Sequence, residues 1–150
     1  MGQPDISTLI VEVFRLNGCL LAAGDRLVAD MGLTSARWQV LGAIALNGGP
    51  ITVPSIARNM GLTRQAVQRV VNDLQAVGLL RSELNPHHRR ASLIALTDTG
   101  ASAYAEASQR QIPWAASFAA GCTPLEIARV ADVLRTLREG LERTQSQEDA

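Results

Sequence analysis

Between Pro54 and Val77 the chain carries two helical patterns separated only by Gly61-Leu62-Thr63, and this short break constrains the fold more than any other feature. Two helices meeting across a three-residue turn form a helix-turn-helix unit. In the second, from about Arg64, the residues Val67, Val70, Val71, Leu74 and Val77 share one face, while Arg64, Gln65, Gln68, Arg69 and Asn72 lie elsewhere on the surface. Thr63 is the expected N-cap, although Ala66 cannot complete a reciprocal capping box. Gly78 ends the helix. Leu79 to Leu84 and Ser92 to Leu96 then read as two short strands joined by Asn85-Pro86-His87-His88-Arg89-Arg90-Ala91, a hairpin with a basic tip.

Helical patterns flank this centre. From Ile6 to about Met31 apolar residues recur at threes and fours, with Gly18 and Gly24 weakening the helix locally. Thr34 caps a second helix through Trp38, Leu41, Ile44 and Leu46, which Asn47-Gly48-Gly49-Pro50 stops. Ile51-Thr52-Val53 is long enough only for a brief strand or an extended link. After Thr97 an Ala-rich helix runs toward Ala120, and Pro113 is expected to break or kink it. Thr123-Pro124-Leu125-Glu126 opens a last helix with Thr at the N-cap, Pro at the first turn and Glu three residues on. Along it Ile127, Val130, Leu134, Leu137 and Leu141 step by three and four, a narrow seam suited to a second copy of the chain or to packing against the first helix.

The charge pattern supports a polyanion partner. The whole chain has 14 Arg, no Lys and 14 acidic residues, for a net charge of +0. Within residues 51–96, however, Arg58, Arg64, Arg69, Arg81, Arg89 and Arg90 face only Asp73 and Glu83. A local field decides where a polyanion docks, so a neutral total does not exclude nucleic acid. With 47% hydrophobic and 19% charged residues the chain is expected to fold. No uncharged apolar run approaches the ~18 residues of a membrane span, and Met1 to Asp5 lacks the features of a signal peptide, so a cytoplasmic protein without membrane contact is expected.

Helix, tight turn, helix and basic hairpin is the layout of a winged helix-turn-helix. A helix fits the major groove of B-form DNA, where amides and guanidinium groups distinguish base edges, and a wing reaches phosphates or the adjacent minor groove. Several stretches strengthen the comparison: Leu33-Thr34-Ser35-Ala36-Arg37-Trp38-Gln39-Val40-Leu41, Ile56-Ala57 with Gly61-Leu62-Thr63, Val67-Gln68-Arg69-Val70-Val71-Asn72-Asp73-Leu74, Gly78-Leu79-Leu80, and Leu96-Thr97-Asp98-Thr99-Gly100. In their order and spacing the chain resembles the MarR family, the multiple-antibiotic-resistance type of bacterial transcriptional regulator.

The resemblance implies a mainly α-helical homodimer, with an N-terminal dimerisation helix over residues 1–32, a winged helix-turn-helix with a two-stranded wing over 33–98, and C-terminal dimerisation helices over 99–150, all in one intertwined domain. It further implies double-stranded DNA with a palindromic operator as partner, and repression relieved by a small aromatic or phenolic effector or by an oxidant. Thr63, Arg64, Gln65, Gln68 and Arg69 would then serve the recognition helix, Arg89 and Arg90 the wing, and Ile127, Val130, Leu134, Leu137 and Leu141 the dimer. Two positions depart from the family pattern. His88 stands where an Asp often precedes the wing arginine, and Asn72-Asp73 stands where an Asp-Arg pair is frequent.

Other constellations carry less. Phe14, Arg15, Trp38 and Trp114, with Met31 and Arg37, are candidates for an effector site, and core packing accounts for the aromatics equally well. Cys19 and Cys122 lie in segments the resemblance assigns to dimerisation, which makes a thiol-based peroxide sensor the alternative to ligand release; buried inert thiols are the competing account. His87-His88 without a nearby Cys or acid does not make a metal site, and no metal or cofactor is expected. GxSxG, GxxxxGK, HExxH and glycine-rich dinucleotide motifs are missing, so an enzyme is not expected. A protein-interaction adaptor that does not bind DNA is the remaining alternative.

Overall fold

The computed structural model describes residues 5–148, which fall into two compact units divided between Arg110 and Gln111. In order, the elements are α1 (Ile6–Val28), a 3-10 turn (Ala29–Met31), α2 (Ser35–Asn47), β1 (Ile51–Thr52), α3 (Val53–Met60), α4 (Arg64–Ala76), β2 (Leu80–Glu83), β3 (Leu93–Leu96), α5 (Asp98–Ala119) and α6 (Pro124–Glu148). The architecture is mainly α, with one small antiparallel sheet.

The core of the first unit gathers the inward faces of these helices. Leu41, Ile56, Leu74, Val28, Val40, Val67 and Val71 are fully buried, and Ile51, Leu80 and Ile94 close the core from the sheet. Each such side chain contributes about 1.5–3 kcal/mol when removed from water. From α4 the buried residues are Val67, Val71 and Leu74, spaced by four and three, so one stripe faces the core and the rest of the helix remains outside.

The turn between α3 and α4 forms because Gly61 takes a left-handed conformation (φ 64°), while the Leu62 N–H donates to the Ala57 carbonyl at 2.9 Å and ends α3. Thr63 then caps α4 by accepting from the Ala66 N–H at 3.1 Å. The same termination recurs at Gly78 (φ 76°), where the Leu79 N–H donates to the Leu74 carbonyl and directs the chain into the wing.

The sheet has three strands rather than the two of the hairpin alone. Its order is β1-β3-β2, with Ile51 paired to Ile94 and Leu80 to Leu96. Ile51–Thr52 is thus a true edge strand, anchoring the wing to the segment that follows α2. Thr97 locks the start of α5: its hydroxyl donates to the Gly78 carbonyl at 2.7 Å and accepts from the Gly100 N–H at 3.0 Å. Gly100 packs directly on the Leu79 carbonyl, and any Cβ there would overlap that backbone oxygen.

Two features bear on the sequence expectations. Pro113 lies inside α5, which continues through it to Ala119; the proline removes one N–H from the ladder without ending the helix. By length and apolarity the stretch Ile6–Met31 would be able to cross a membrane. A search for uncharged runs overlooks it because Glu12 and Arg15, paired at 2.8 Å, interrupt the stretch without offsetting its many apolar residues.

In the second unit, Thr123 and Glu126 form a reciprocal capping box: the Thr123 N–H donates to Glu126 Oε2 at 2.8 Å and the Glu126 N–H to Thr123 Oγ1 at 3.3 Å. The bonds from Thr123, the backbone N–H foremost, hold the Glu126 carboxyl below its ordinary pKa.

Candidate nucleic-acid interface

The exposed side of α4 and the wing enclose a cleft of about 470 Å³. Arg64, Gln65 and Gln68 line it from the helix and Arg90 from the wing, over a floor that includes Val53, Pro54 and Ile94. The structure therefore brings together four residues of the sequence-derived set. Thr63 serves as the cap, and Arg69 and Arg89 are exposed but are not among the lining residues.

The arginines of the basic segment divide by occupation. Arg81 is consumed by the fold, donating to the Leu96 carbonyl at 2.6 Å and pairing with Glu83 at 2.7 Å. Arg58 donates to Ser55 Oγ at 3.4 Å. Among the described residues, Arg64, Arg69, Arg89 and Arg90 have neither an ion pair nor a side-chain hydrogen bond to another residue. Their guanidinium groups remain free for an external anion.

Three contacts orient α4 and its side chains, and sequence reading did not anticipate them. Arg37 of α2 lies 3.7 Å from Asp73, Gln75 Nε2 donates to Ser82 Oγ of β2 at 2.6 Å, and Gln68 Nε2 donates to Asn72 Oδ1 at 2.9 Å. Asp73 thus has a partner on α2. At the wing tip, backbone turns give shape despite His88: the His87 N–H donates to Asn85 Oδ1 at 3.0 Å, and the Ala91 N–H to the His88 carbonyl at 3.3 Å. Among the described residues no group of three potential metal ligands occurs.

The family model described as MarR matches residues 31–91, which span the helix-turn-helix and most of the wing. The uncharacterized protein Rv2011c of Mycobacterium tuberculosis is 37% identical over 133 residues, covering 89% of this chain and 92% of the relative. The chain belongs to the MarR family. Members of this family are transcriptional regulators, not enzymes. Among solved structures, the chain is similar to CouR from Rhodococcus jostii RHA1 bound to p-coumaroyl-CoA (TM-score 0.78, 24% identity, 90% of this chain and 92% of that one). It is also similar to the M. tuberculosis transcriptional regulator MOSR in complex with DNA (TM-score 0.75, 24% identity, 90% and 96%). These matches extend the MarR fold over nearly the whole chain.

The remaining candidates of this MarR-family chain occupy varied environments. Phe14 is 72% exposed on α1, and Arg15 is paired with Glu12. Trp38 packs against the core, and Trp114 meets Phe118 edge-on with ring centroids 5.0 Å apart. Cys19 and Cys122 are exposed free thiols, not buried ones. On α6, Ile127, Val130, Leu137 and Leu141 are exposed and Leu134 is partly buried.

Proposed function

We propose that this chain is a homodimeric DNA-binding repressor that grips a palindromic operator and releases it when a small effector binds. The observation that carries the reading is the cleft where Gln65 and Gln68 converge with Arg64 and Arg90, two arginines with no internal partner. Gln65 and Gln68 read base edges, Arg64 and Arg69 meet bases or phosphates, and Arg89 and Arg90 follow the backbone and minor groove. Two recognition helices of a dimer would engage half-sites about one turn, ~10 bp, apart.

Residues 33–98 supply the reading head in this scheme, and residues 1–32 and 99–150 supply dimerisation. The exposed apolar side chains of α1 and the seam Ile127, Val130, Leu134, Leu137 and Leu141 are then covered by the second chain, which also accounts for the apolarity of α1 in a soluble cytoplasmic protein. The DNA complex of MOSR and the p-coumaroyl-CoA complex of CouR support a duplex as partner and an aromatic acid or its thioester as effector, with Phe14, Arg15, Trp38 and Trp114 as first candidates to contact it. Genomic fragments bound by the purified protein, followed by a screen for aromatic compounds that release them, test the reading. Absence of any selective duplex binding would refute it and favour the adaptor.

Exposure of both thiols supports a second reading, in which an oxidant is the releasing signal. It requires a peroxide-dependent crosslink between subunits that disappears in Cys19→Ser and Cys122→Ser. A protein that stays uncrosslinked and DNA-bound in peroxide excludes it.

A further inference from the structure

Gln68 and Asn72 stand one helical turn apart on α4, both exposed, and Gln68 Nε2 donates to Asn72 Oδ1 at 2.9 Å. A primary amide has two N–H hydrogens and one carbonyl oxygen. When Asn72 takes the N–H anti to the carbonyl, the other N–H and Oε1 lie side by side, one donor next to one acceptor. Adenine presents the complementary pair in the major groove, with N7 accepting and N6–H donating. Guanine presents two acceptors there, so Oε1 would oppose a lone pair, while cytosine and thymine each satisfy only one member of the pair.

We propose that Asn72 is a positioning residue that fixes the orientation of the Gln68 amide and thereby makes this protein select adenine at the base pair Gln68 meets. The inference rests on the reading of α4 as the groove-entering helix. Freed from Asn72, the Gln68 amide can turn over, exchanging donor and acceptor, and its long side chain samples several rotamers. Stability does not explain the pair. A Gln-Asn bond across one turn supports a helix only slightly, and Asn propagates a helix less well than Ala.

The test is selection of bound duplexes from a randomised pool by the full-length wild type, Gln68→Ala, Asn72→Ala and Asn72→Asp, with thermal melts of each. The position whose preference vanishes in Gln68→Ala is the one Gln68 reads. There the wild type should prefer adenine by about 5- to 100-fold, and 7-deazaadenine, which lacks the N7 acceptor, should weaken binding comparably. Asn72→Ala should lower that preference severalfold while melting unchanged and leaving other positions alone. Asn72→Asp should retain it, because a carboxylate still accepts from Gln68, while binding every duplex more weakly through its added negative charge. Another base at that position, an adenine preference unaltered in Asn72→Ala, or its loss in Asn72→Asp would overturn the inference and leave DNA binding intact. A selection that enriches no sequence would overturn the DNA-binding reading as well.

Discussion

Asp73 on α4 lies 3.7 Å from Arg37 at the start of α2, and Arg37 also donates to the Gly32 carbonyl at 3.0 Å. One side chain thereby links α4 to the elbow between α1 and α2. Both partners are partly solvent-exposed, so the pair adds at most about 1 kcal/mol to stability. As a contact between α2 and α4, it is expected to act on the direction of α4 instead. Asp73→Asn is therefore expected to melt within a few degrees of wild type yet to lower the ratio of operator to random-DNA affinity severalfold. Titrations of both duplexes by fluorescence anisotropy check this, and an unchanged ratio would mean that the orientation of α4 is set elsewhere.

Arg90 and Arg81 provide a controlled comparison on the wing. Arg90 lines the cleft and is unengaged, whereas Arg81 is tied to Leu96 and Glu83. A guanidinium that neutralises a phosphate releases counterions, so its removal weakens all duplexes alike and flattens the salt dependence by about one charge. Arg90→Ala should do both. Arg81→Ala should reduce stability and leave the salt slope unaltered. The slope of log affinity against log salt distinguishes them, and equal slopes for Arg90→Ala and wild type would remove Arg90 from the interface.

Arg110 of α5 donates to both oxygens of Asp30, at 2.5 and 3.0 Å, and to the Leu27 carbonyl at 3.1 Å. Hydrogen bonding to this guanidinium holds the Asp30 carboxyl below its ordinary pKa. Since the folded value is depressed, the unfolded chain binds the proton more readily; the stabilisation is complete above the usual carboxylate range near ~4 and drains as pH falls through the folded value. Asp30→Asn should therefore be less stable than wild type at pH 7, with the gap narrowing in acid. Urea midpoints at pH 7 and pH 3 measure it, and a constant gap would assign the effect to packing.

What could be read directly from the sequence was local. Thr63 as a cap, the Thr123-Glu126 box and the glycine stops at Gly61 and Gly78 each depend on residues within a few positions, and the structure forms them all. The pairing of Ile51 with Ile94, and the contacts Arg37–Asp73 and Gln75–Ser82, join segments whose meeting depends on how the helices pack, which periodicity does not encode. Of the two outcomes expected at Pro113, a break is excluded, because flanking turns carry the helix through a residue whose local preference opposes it. At the cleft, residue types and helix face identified Gln68, but its hydrogen bond to Asn72 emerged only with side-chain geometry.

Gly24 illustrates a constraint that helix propensity alone would rank the wrong way. Alanine in a helix is favoured over glycine by about 1 kcal/mol, yet a Cβ at position 24 would overlap the Oγ of Ser35, a buried hydroxyl that donates to the Leu21 carbonyl at 2.8 Å. Ser35 is also held through its backbone N–H, which donates to Asp25 Oδ1 at 2.7 Å, so it cannot simply move away. Overpacking of this kind costs about 1–3 kcal/mol. Gly24→Ala should therefore destabilise despite its propensity gain. Ser35→Ala alone should cost about 1 kcal/mol for the lost hydrogen bond. Combined, the two should cost less than their sum, because removing Oγ leaves the new methyl at ordinary distance from the Ser35 Cβ, 3.6 Å away. A double-mutant cycle by urea denaturation provides the measurement. Strict additivity would indicate that α1 and α2 separate to admit the methyl group, so that their close crossing is not what requires glycine at this position.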